Sequence, residues 1–391
     1  MAKLSNTQIK ELVNTAYKQM TGSGDITEPL DLSAFCDTGT NSIGDNRERF
    51  TNALLGVITK NWFLDTSYRS QYNDIFYEDS ERFGAIIQAI SVEAPEAIEN
   101  SAWKDFESGK TNVGQYTVYL PIVSSKYYTK SSSWAIPVTI SWEQWDTAFH
   151  NENELTSFIN YVFMIVDNAL VQHMEDMNDE NRNNFISEKI AYSKKPDAKG
   201  VHVVDLIAMY VEEKGITETY SRLKALNDRD FLSFASAKMS EYIGYFKKQT
   251  SLFNTEQKVR FTPDDRLACQ ILSIFESKMT SIGYANTFHD DFIKLPNHQT
   301  VSWWQNAGDL SFNDVSSIHI KNGATTTSAS GIVGLLCDKW AIVHTIRSNR
   351  VGSQNFGIEN ITHYEYQHRD SYINNLTMNA VVFTMNDHVA G

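Results

Sequence analysis

The stretch Glu152–Met177, ENELTSFINYVFMIVDNALVQHMEDM, has the strongest helical period in the sequence. Its apolar residues recur at steps of three and four, and neither glycine nor proline interrupts them, so the pattern predicts an amphipathic helix with one apolar stripe. At about 1.5 Å per residue, this helix would be roughly 40 Å long. We expect the stripe to form the core of one domain, and it includes Leu155, Phe158, Val162, Val166 and Leu170.

The segment after this helix is first polar and then has the composition of a connection. Residues 178–184 are polar and predict that the helix loosens there, with Phe185–Tyr192 as a last turn. Ser193–Gly200 then combines proline, glycine and charged residues, which is typical of a connection between domains. We therefore expect one domain to end near residue 194 and another to begin after it.

The segment before this helix has the alternation of strands. Ala85–Val92, Gln115–Val123 and Trp134–Trp142 each favour β-structure. Together they predict a long two-stranded hairpin, Ala85–Trp142, with a polar tip and a direct return into the helix. Earlier in the chain, the polar stretch Thr21–Asp45 predicts an extended, exposed arm.

Beyond residue 200 the sequence predicts further helices and strands. Asn227–Lys248 has helical spacing, and Thr262–Gly283 has the best helix signals: a capping threonine, a proline at the first position and a terminal glycine. Gly331–Ile346 predicts a tight strand pair, and Glu359–Met385 predicts two long strands. Because late strands often return to pair with early ones, we expect these two to join the domain of the first helix.

The composition excludes several classes of protein. The sequence has 391 residues, of which 41% are hydrophobic and 21% charged, so it can build substantial cores and is not intrinsically disordered. Its net charge of −14 argues against a nucleic-acid-binding protein, because phosphate binding relies on Lys and Arg. Cys36, Cys269 and Cys337 form no CxxC pair and indicate a reducing compartment. We expect neither a signal peptide nor a membrane span.

No catalytic, cofactor-binding or metal-binding signature is evident in the sequence. The phosphate-binding loop, the dinucleotide-binding glycine motif, the nucleophile elbow and the HExxH zinc motif are all absent. Asp176–Glu188 has the oxygen-rich start of a calcium loop, but Asn181 and Ser187 occupy the positions where an EF-hand needs glycine and glutamate. We expect a solvated helix end at this segment.

Isolated histidines and tryptophans have a structural interpretation and a functional one. His289–Asp291 could offer metal ligands, but no second cluster supports them, so a polar turn is favoured. His344, His363 and His368 lie in or beside predicted strands, where a lone histidine is more often structural than catalytic. Trp303–Trp304 could stack on bases, but the negative net charge favours a role in packing or in an interface.

Two stretches carry a resemblance to a known family. Val118–Met174 contains a strand (VYLPIV), an aromatic and polar bend (SSKYYTKSSSW), a second strand and the long helix. Gly334–Phe383 contains LLCDKWAIVHTI, a basic turn, an aromatic strand (HYEYQH) and an apolar final strand (NAVVFT). The order of elements resembles the major capsid protein of tailed double-stranded DNA bacteriophages, the Johnson fold. The two stretches look most like the head protein of the small picovirus-like podophages related to the Bacillus phage Phi group.

The resemblance implies an α+β fold with named parts. The long helix would be the spine helix of the peripheral P-domain, the hairpin would be the E-loop, and the A-domain would be axial. No residue matches a crosslinking motif, so we expect no covalent links between subunits. The implied boundaries are 1–45 for the N-terminal arm, 46–84 for the first part of the P-domain, 85–142 for the E-loop, 143–194 for the P-domain spine helix, 195–349 for the A-domain and 350–391 for the closing strands of the P-domain.

The implied function is structural, with no enzyme activity and no cofactor. Many copies would self-assemble as hexamers and pentamers into an icosahedral or prolate head, in the virion, after synthesis in the bacterial host cytoplasm. A scaffolding protein, a portal and head fibres are further candidate partners, and no membrane is involved. Packaged DNA would be near the shell without specific binding, since the protein is acidic. The E-loop residues expected to be buried on a neighbouring subunit are Trp103, Phe106, Tyr116 and Tyr119.

Two alternatives stay open at the level of sequence. Another virion protein, such as a portal or a tail protein, would need a larger helical fraction or β-repeats. A hydrolase or carbohydrate-active enzyme with a site built on loops is supported only by the aromatic content and by Ser302–Ser330, which is rich in Ser, Thr and Asn.

Overall fold

The computed structural model describes only part of the chain. The described residues are 77–80, 87–92, 123–128, 131–141, 143–144, 152–284, 298–305, 307–322, 325–356 and 361–390. The predicted arm and the tip of the predicted E-loop lie outside them. Two compact units are present: unit 1 draws on Met1–Arg82, Ser131–Asn181 and His344–Tyr372, and unit 2 on Phe83–Lys130, Arg182–Val343 and Ile373–Gly391.

The described elements are a mixture of helices and largely antiparallel sheets, which confirms the predicted α+β class. In chain order they are β1 (Tyr77–Ser80), β2 (Ile87–Val92), β3 (Val123–Tyr128), β4 (Ser132–Ser141), α1 (Glu152–Ser193), β5 (Val203–Asp205), α2 (Leu206–Lys214), α3 (Arg222–Ala225), α4 (Arg229–Lys247), β6 (Leu267–Leu272), α5 (Ser273–Tyr284), β7 (Gln299–Val301), α6 (Phe312–Val315), β8 (Ile318–Asn322), β9 (Thr325–Ala329), β10 (Ile332–Asp338), β11 (Ile342–Phe356), β12 (Ile361–Asn374) and β13 (Ala380–Thr384).

Helix α1 begins at the predicted residue and is much longer than predicted. It has 42 residues, which at 1.5 Å each make about 63 Å. The expected loosening after Met177 is wrong, because several polar residues there, among them Arg182 and Asn183 in unit 2, are buried. The Arg182 guanidinium lies 5.1 Å from the ring centre of Trp304, and the Asn183 amide donates to the Trp304 carbonyl. These residues contact protein where solvent was expected, so the helix continues.

Unit 1 contains a four-stranded sheet in the order β1-β11-β12-β4. Strands β12 and β4 are antiparallel, in a register that runs from Ile361 opposite Ser141 to Asp370 opposite Ser132. One face is buried, since Ile136, Val138 and Ile140 alternate with exposed residues along β4. The prediction that β4 belongs to the Ala85–Trp142 hairpin is therefore wrong: its partner is β12.

Unit 2 contains a five-stranded sheet in the order β5-β13-β10-β6-β7. Every residue of β10 and β13 is buried, as in a central strand covered on both faces. The predicted helix Thr262–Gly283 is wrong in its first half, where Leu267–Leu272 forms strand β6 beside β10. A short apolar run has no periodicity that separates a buried strand from a helix, and only α5 is helical.

Several strands in the last quarter of the chain pair with other strands than predicted. Strands β10 and β11 are joined by a 3-10 turn at Lys339–Ala341, but they lie in different sheets, so Gly331–Ile346 is not a hairpin. Strand β12 joins the sheet of unit 1 as expected, whereas β13 pairs with β10 and β5 in unit 2. Residues 347–356, which include the basic residues of the expected turn, belong to the long strand β11.

Candidate assembly surface

Strands β2 and β3 form a two-stranded antiparallel hairpin in unit 2, with Ile87 opposite Tyr128 and Val92 opposite Val123. Side chains of opposed residues share a face, so the hairpin has two distinct faces. We call the fully exposed one the outer face, and it consists of Gln88, Ile90, Val92, Val123, Ser125 and Tyr127.

The outer face is unusually apolar for a solvent-exposed ribbon. Ile90 is 64% exposed, Val92 59%, Val123 58% and Tyr127 60%. One polar side chain bonds within this face: the Gln88 amide donates a 3.0 Å hydrogen bond to the Tyr127 hydroxyl. Four large apolar side chains on six positions indicate a surface that gains free energy when a partner covers it.

The opposite face, which includes Ser91, Ser124 and Lys126 and which we call the inner face, contacts the rest of unit 2. Lys126 Nζ lies 2.7 Å from a Glu256 carboxylate oxygen, and Arg260 Nη2 donates a 2.7 Å hydrogen bond to Ser91 Oγ. Lys258 Nζ also donates to Ser124 Oγ. The inner face is thus held by polar contacts, while the outer face has none to the rest of unit 2 among those described.

The residues that hold the inner face belong to one short segment, Thr250–Arg260, which we call the supporting turn. Its ends are joined by two 3.0 Å backbone hydrogen bonds between Thr250 and Arg260. Within it, the Asn254 side chain donates to the Lys258 carbonyl at 2.7 Å and accepts from the Lys258 amide at 3.0 Å. Asn254 is fully buried, so the turn is anchored in the unit.

Gln257 lies at the centre of the supporting turn, in a left-handed backbone conformation with φ of 54°. It is the one residue other than glycine with positive φ in the described part of the chain. Such a conformation costs of order 1 kcal/mol for a residue with a side chain, so the surrounding contacts have to impose it. It lies between Glu256 and Lys258, the two residues whose charged groups meet at the inner face.

Electrostatics at the inner face favour the charged form of Glu256. Burial alone would raise the pKa of Glu256, but hydrogen bonds from Lys126 and Lys258 outweigh burial and leave the pKa below its ordinary value. Burial and the Glu256 charge together raise the pKa of Tyr128, so its hydroxyl stays protonated. The carboxylate of Glu256 therefore stands between two ammonium groups, with Lys258 Nζ at 3.2 Å.

The residues predicted for intersubunit contact fall partly outside the described chain. Trp103, Phe106, Tyr116 and Tyr119 lie beyond it. The backbone of α1 includes Leu155, Phe158 and Val162, whose side chains are likewise outside the description, whereas Val166 and Leu170 are buried. Sequence reasoning did not single out the outer face beyond noting its strands, or the supporting turn at all.

The remaining chemical groups are structural. Cys269 and Cys337 are buried as free thiols on the paired strands β6 and β10, and burial raises the pKa of Cys269 to about 12. Asp176–Glu188 is helical throughout, so it does not form a calcium loop. Within the described ranges, no three His, Cys, Asp or Glu side chains are grouped as metal ligands, and none of the helices is long and apolar enough to cross a membrane.

Comparison with known protein families gives a match over nearly the whole chain. The family model for the Phi29-like phage major capsid protein matches residues 9–384. Among solved structures, the capsid of Staphylococcus phage Andhra is similar at 10% identity and a TM-score of 0.49, covering 82% of this chain and 84% of that one. The capsid of Cyanophage P-SCSP1u is similar at 10% identity and a TM-score of 0.42, covering 80% and 87%. No curated protein sequence matches.

Proposed function

Because the chain belongs to the Phi29-like phage major capsid protein family, we propose that its β2–β3 hairpin docks on a neighbouring copy of the chain when the phage head assembles. The protein is a structural major capsid protein and not an enzyme, as the sequence predicted. The observation that carries the docking proposal is the outer face: four large apolar side chains on one exposed side of a two-stranded ribbon.

The energetics of the hairpin favour an intermolecular partner. A two-stranded ribbon is marginally stable by itself, and among the described residues this one is fixed to its own unit through the inner face. Complete burial of one large aliphatic side chain contributes about 1.5–3 kcal/mol, so covering Ile90, Val92 and Val123 would offset part of the entropy cost of association. A second copy supplies such a surface at every position of a closed shell.

The finer architecture follows from the resemblance and is part of the proposal. The fold would be the Johnson fold, with the hairpin as the base of the E-loop and Trp103, Phe106, Tyr116 and Tyr119 buried on the neighbour. Helix α1 would be the spine, with its polar side under the neighbour's E-loop. Contacts between different patches of identical copies close into rings, which fits hexamers and pentamers.

Further partners are proposed on the same basis. A scaffolding protein, a portal and head fibres would contact the shell in the virion, after assembly in the host cytoplasm. The net charge of −14 would let packaged DNA move along the inner wall without adhering to it.

The test is assembly of full-length variants, followed by electron microscopy and size-exclusion chromatography. Deletion of residues 100–112, or the double change Ile90→Ser and Tyr127→Ser, should give folded subunits that do not form shells. Leu223→Ser is the matched control, because Leu223 is 65% exposed in unit 2 but lies outside the hairpin. Shells of normal size from the hairpin variants would reject the docking role, and a small discrete oligomer from the wild type would reject the shell itself.

A further inference from the structure

We propose that the supporting turn, Thr250–Arg260, fixes the orientation of the β2–β3 hairpin through the ion pairs of Glu256, and so presents the outer face ready for docking. Glu256 would be a positioning residue, acting through Lys126 on the hairpin. The inference rests on the proposed function, because the docking surface is the one whose orientation is set.

The first argument is the spacing of the contacts. Glu256, Lys258 and Arg260 all lie in the second half of the supporting turn, on either side of the left-handed Gln257. They contact three residues of the hairpin's inner face, two on β3 and one on β2. Both strands are therefore held, which restricts rotation of the ribbon about its own axis as well as its tilt.

The second argument is that the supporting turn is rigid before the hairpin binds to it. Its Phe253 and Thr255 backbone groups bond to the segment around β13: the Ala380 amide donates to the Phe253 carbonyl at 3.1 Å, and the Thr255 amide donates to the Leu376 carbonyl at 3.3 Å. Together with the buried Asn254 and the left-handed Gln257, these bonds fix the direction of the Glu256 side chain. Orienting the hairpin on a fixed base reduces the entropy lost on docking.

The third argument is that polar and charged contacts fix the hairpin on the supporting turn. Besides Ala89 and the half-buried Tyr128, the inner face has Ser91, Ser124 and Lys126, whose contacts to the supporting turn are hydrogen bonds and an ion pair. The neighbouring turn residues Val259 and Phe261 are 64% and 49% exposed and so do not form an apolar base for the ribbon. Loss of the Glu256 charge should therefore loosen the hairpin without opening the core of unit 2.

The experiment measures amide hydrogen exchange on the full-length subunit, kept unassembled at low concentration. Glu256→Gln keeps the size of the side chain and removes its charge. It should accelerate exchange of the amides in β2 and β3 by about three- to tenfold, because two partly exposed ion pairs are lost. Exchange in β10 and β13 should stay at the wild-type rate. The matched control is Glu241→Gln, which breaks the Lys238–Glu241 pair of 2.9 Å on α4 and should leave the hairpin unchanged.

Two further measurements distinguish positioning from general support of the fold. Raising the salt concentration should accelerate hairpin exchange in the wild type but not in Glu256→Gln, since salt screens a partly exposed ion pair. Lys126→Gln should accelerate exchange by about two- to fivefold alone and add little in the Glu256→Gln background, because coupled partners are not additive. Equal acceleration in the hairpin and in β10, or none in either, would overturn the proposal.

Measuring the rate of shell assembly tests the role of hairpin orientation separately from the docking role of the outer face. Glu256→Gln should slow shell formation measured by light scattering, and high protein concentration should restore shells of normal size. If the variant has a loosened hairpin and still assembles at the wild-type rate, orientation by the supporting turn is irrelevant to docking. The docking role itself is judged independently, by the outer-face variants Ile90→Ser and Tyr127→Ser.

Discussion

The indole Nε1–H of Trp134 donates a 2.8 Å hydrogen bond to Oδ2 of Asp370, a carboxylate that is almost completely buried in unit 1. The Trp134 ring contacts two imidazoles: its centre is 4.3 Å from that of His173 and 4.4 Å from that of His368, on which it stacks. Nε2 of His344 is 3.8 Å from the same carboxylate oxygen. The cluster joins α1 to β4, β11 and β12, so it holds the helix of unit 1 to its sheet.

Replacement of Trp134 by phenylalanine should destabilise the protein through Asp370. The variant keeps an aromatic ring beside the imidazoles but removes the indole N–H donor, and a buried group that loses its partner costs about 1–3 kcal/mol. Chemical denaturation followed by circular dichroism measures the change. Trp303→Phe, at a tryptophan that is 42% exposed, is the control and should change the free energy of unfolding by less than about 0.5 kcal/mol. Equal stability of the two variants would contradict a role for the bond.

Acidification should destabilise the protein through two buried histidines. Burial lowers the pKa of His368, an effect that the Asp370 charge opposes and the His173 charge assists. Burial and the Lys189 charge lower the pKa of His202 to about 4. Unfolded histidines titrate near 6.5, so below that pH the unfolded state binds more protons and the free energy of unfolding falls as pH decreases.

The measurement is the melting temperature between pH 8 and pH 4.5. It should be nearly constant above about pH 7, as far as these histidines are concerned, and fall below about pH 6.5. His368→Gln should reduce the fall, whereas His319→Gln, at an exposed position, should keep it. An identical pH profile for wild type and His368→Gln would show that the acid effect arises elsewhere.

Because of Lys189, the free energy of unfolding should increase as the pH rises above about 7. Burial lowers the pKa of Lys189 to about 7, and its ammonium donates to the carbonyls of Phe253 at 3.2 Å and Leu376 at 3.4 Å. Between pH 7 and the ordinary lysine value, the unfolded state binds more protons, so the free energy of unfolding rises with pH. Lys189→Met should flatten this rise between pH 7 and pH 9 in denaturation experiments. Lys194→Met, at an exposed lysine, should retain it.

Gly331 should not tolerate a side chain. Its φ is 77°, and an added Cβ would overlap the carbonyl oxygen of Met385 and crowd the Arg222 guanidinium at 3.0 Å. Gly331→Ala should therefore cost at least about 2 kcal/mol, from backbone strain and displaced backbone. Gly244→Ala is the matched control: it lies within helix α4, has open space at the Cβ position and should stabilise by up to about 1 kcal/mol. Calorimetry of the two variants should give opposite shifts in melting temperature.

Local sequence patterns correctly predicted the helices and strands that are determined by the spacing of their own apolar residues. The start of α1 and the helix α4 follow from helical spacing, and β4 follows from alternation that the structure shows as Ile136, Val138 and Ile140 facing inward. The patterns failed where a contact with a residue distant in the sequence determines the secondary structure. Asn183 belongs to a helix because Trp304 accepts its amide hydrogen bond, 121 residues further along the chain. The run Leu267–Leu272 is a strand because β10 lies beside it.

The candidate site shows the same limit. The strand pattern at Ala85–Val92 indicated a ribbon, but pairing with Val123–Tyr128 and the division into two faces needed the register. No pattern in the sequence near Glu256 indicates that it pairs with Lys126, 130 residues earlier. The left-handed Gln257 carries no glycine or asparagine signal at all. His368, which looked isolated in the sequence, likewise contacts Trp134 only in the folded sheet.

The position of β13 in its sheet has a consequence for synthesis in the host. This strand, residues 380–384, is translated after β5, β6, β7 and β10, yet it lies between β5 and β10 and bonds to both. A nascent chain therefore displays two open strand edges until its last strand emerges from the ribosome. Truncated products that lack these residues cannot join β5 to β10, so we expect them to be cut by proteases faster than the full-length chain.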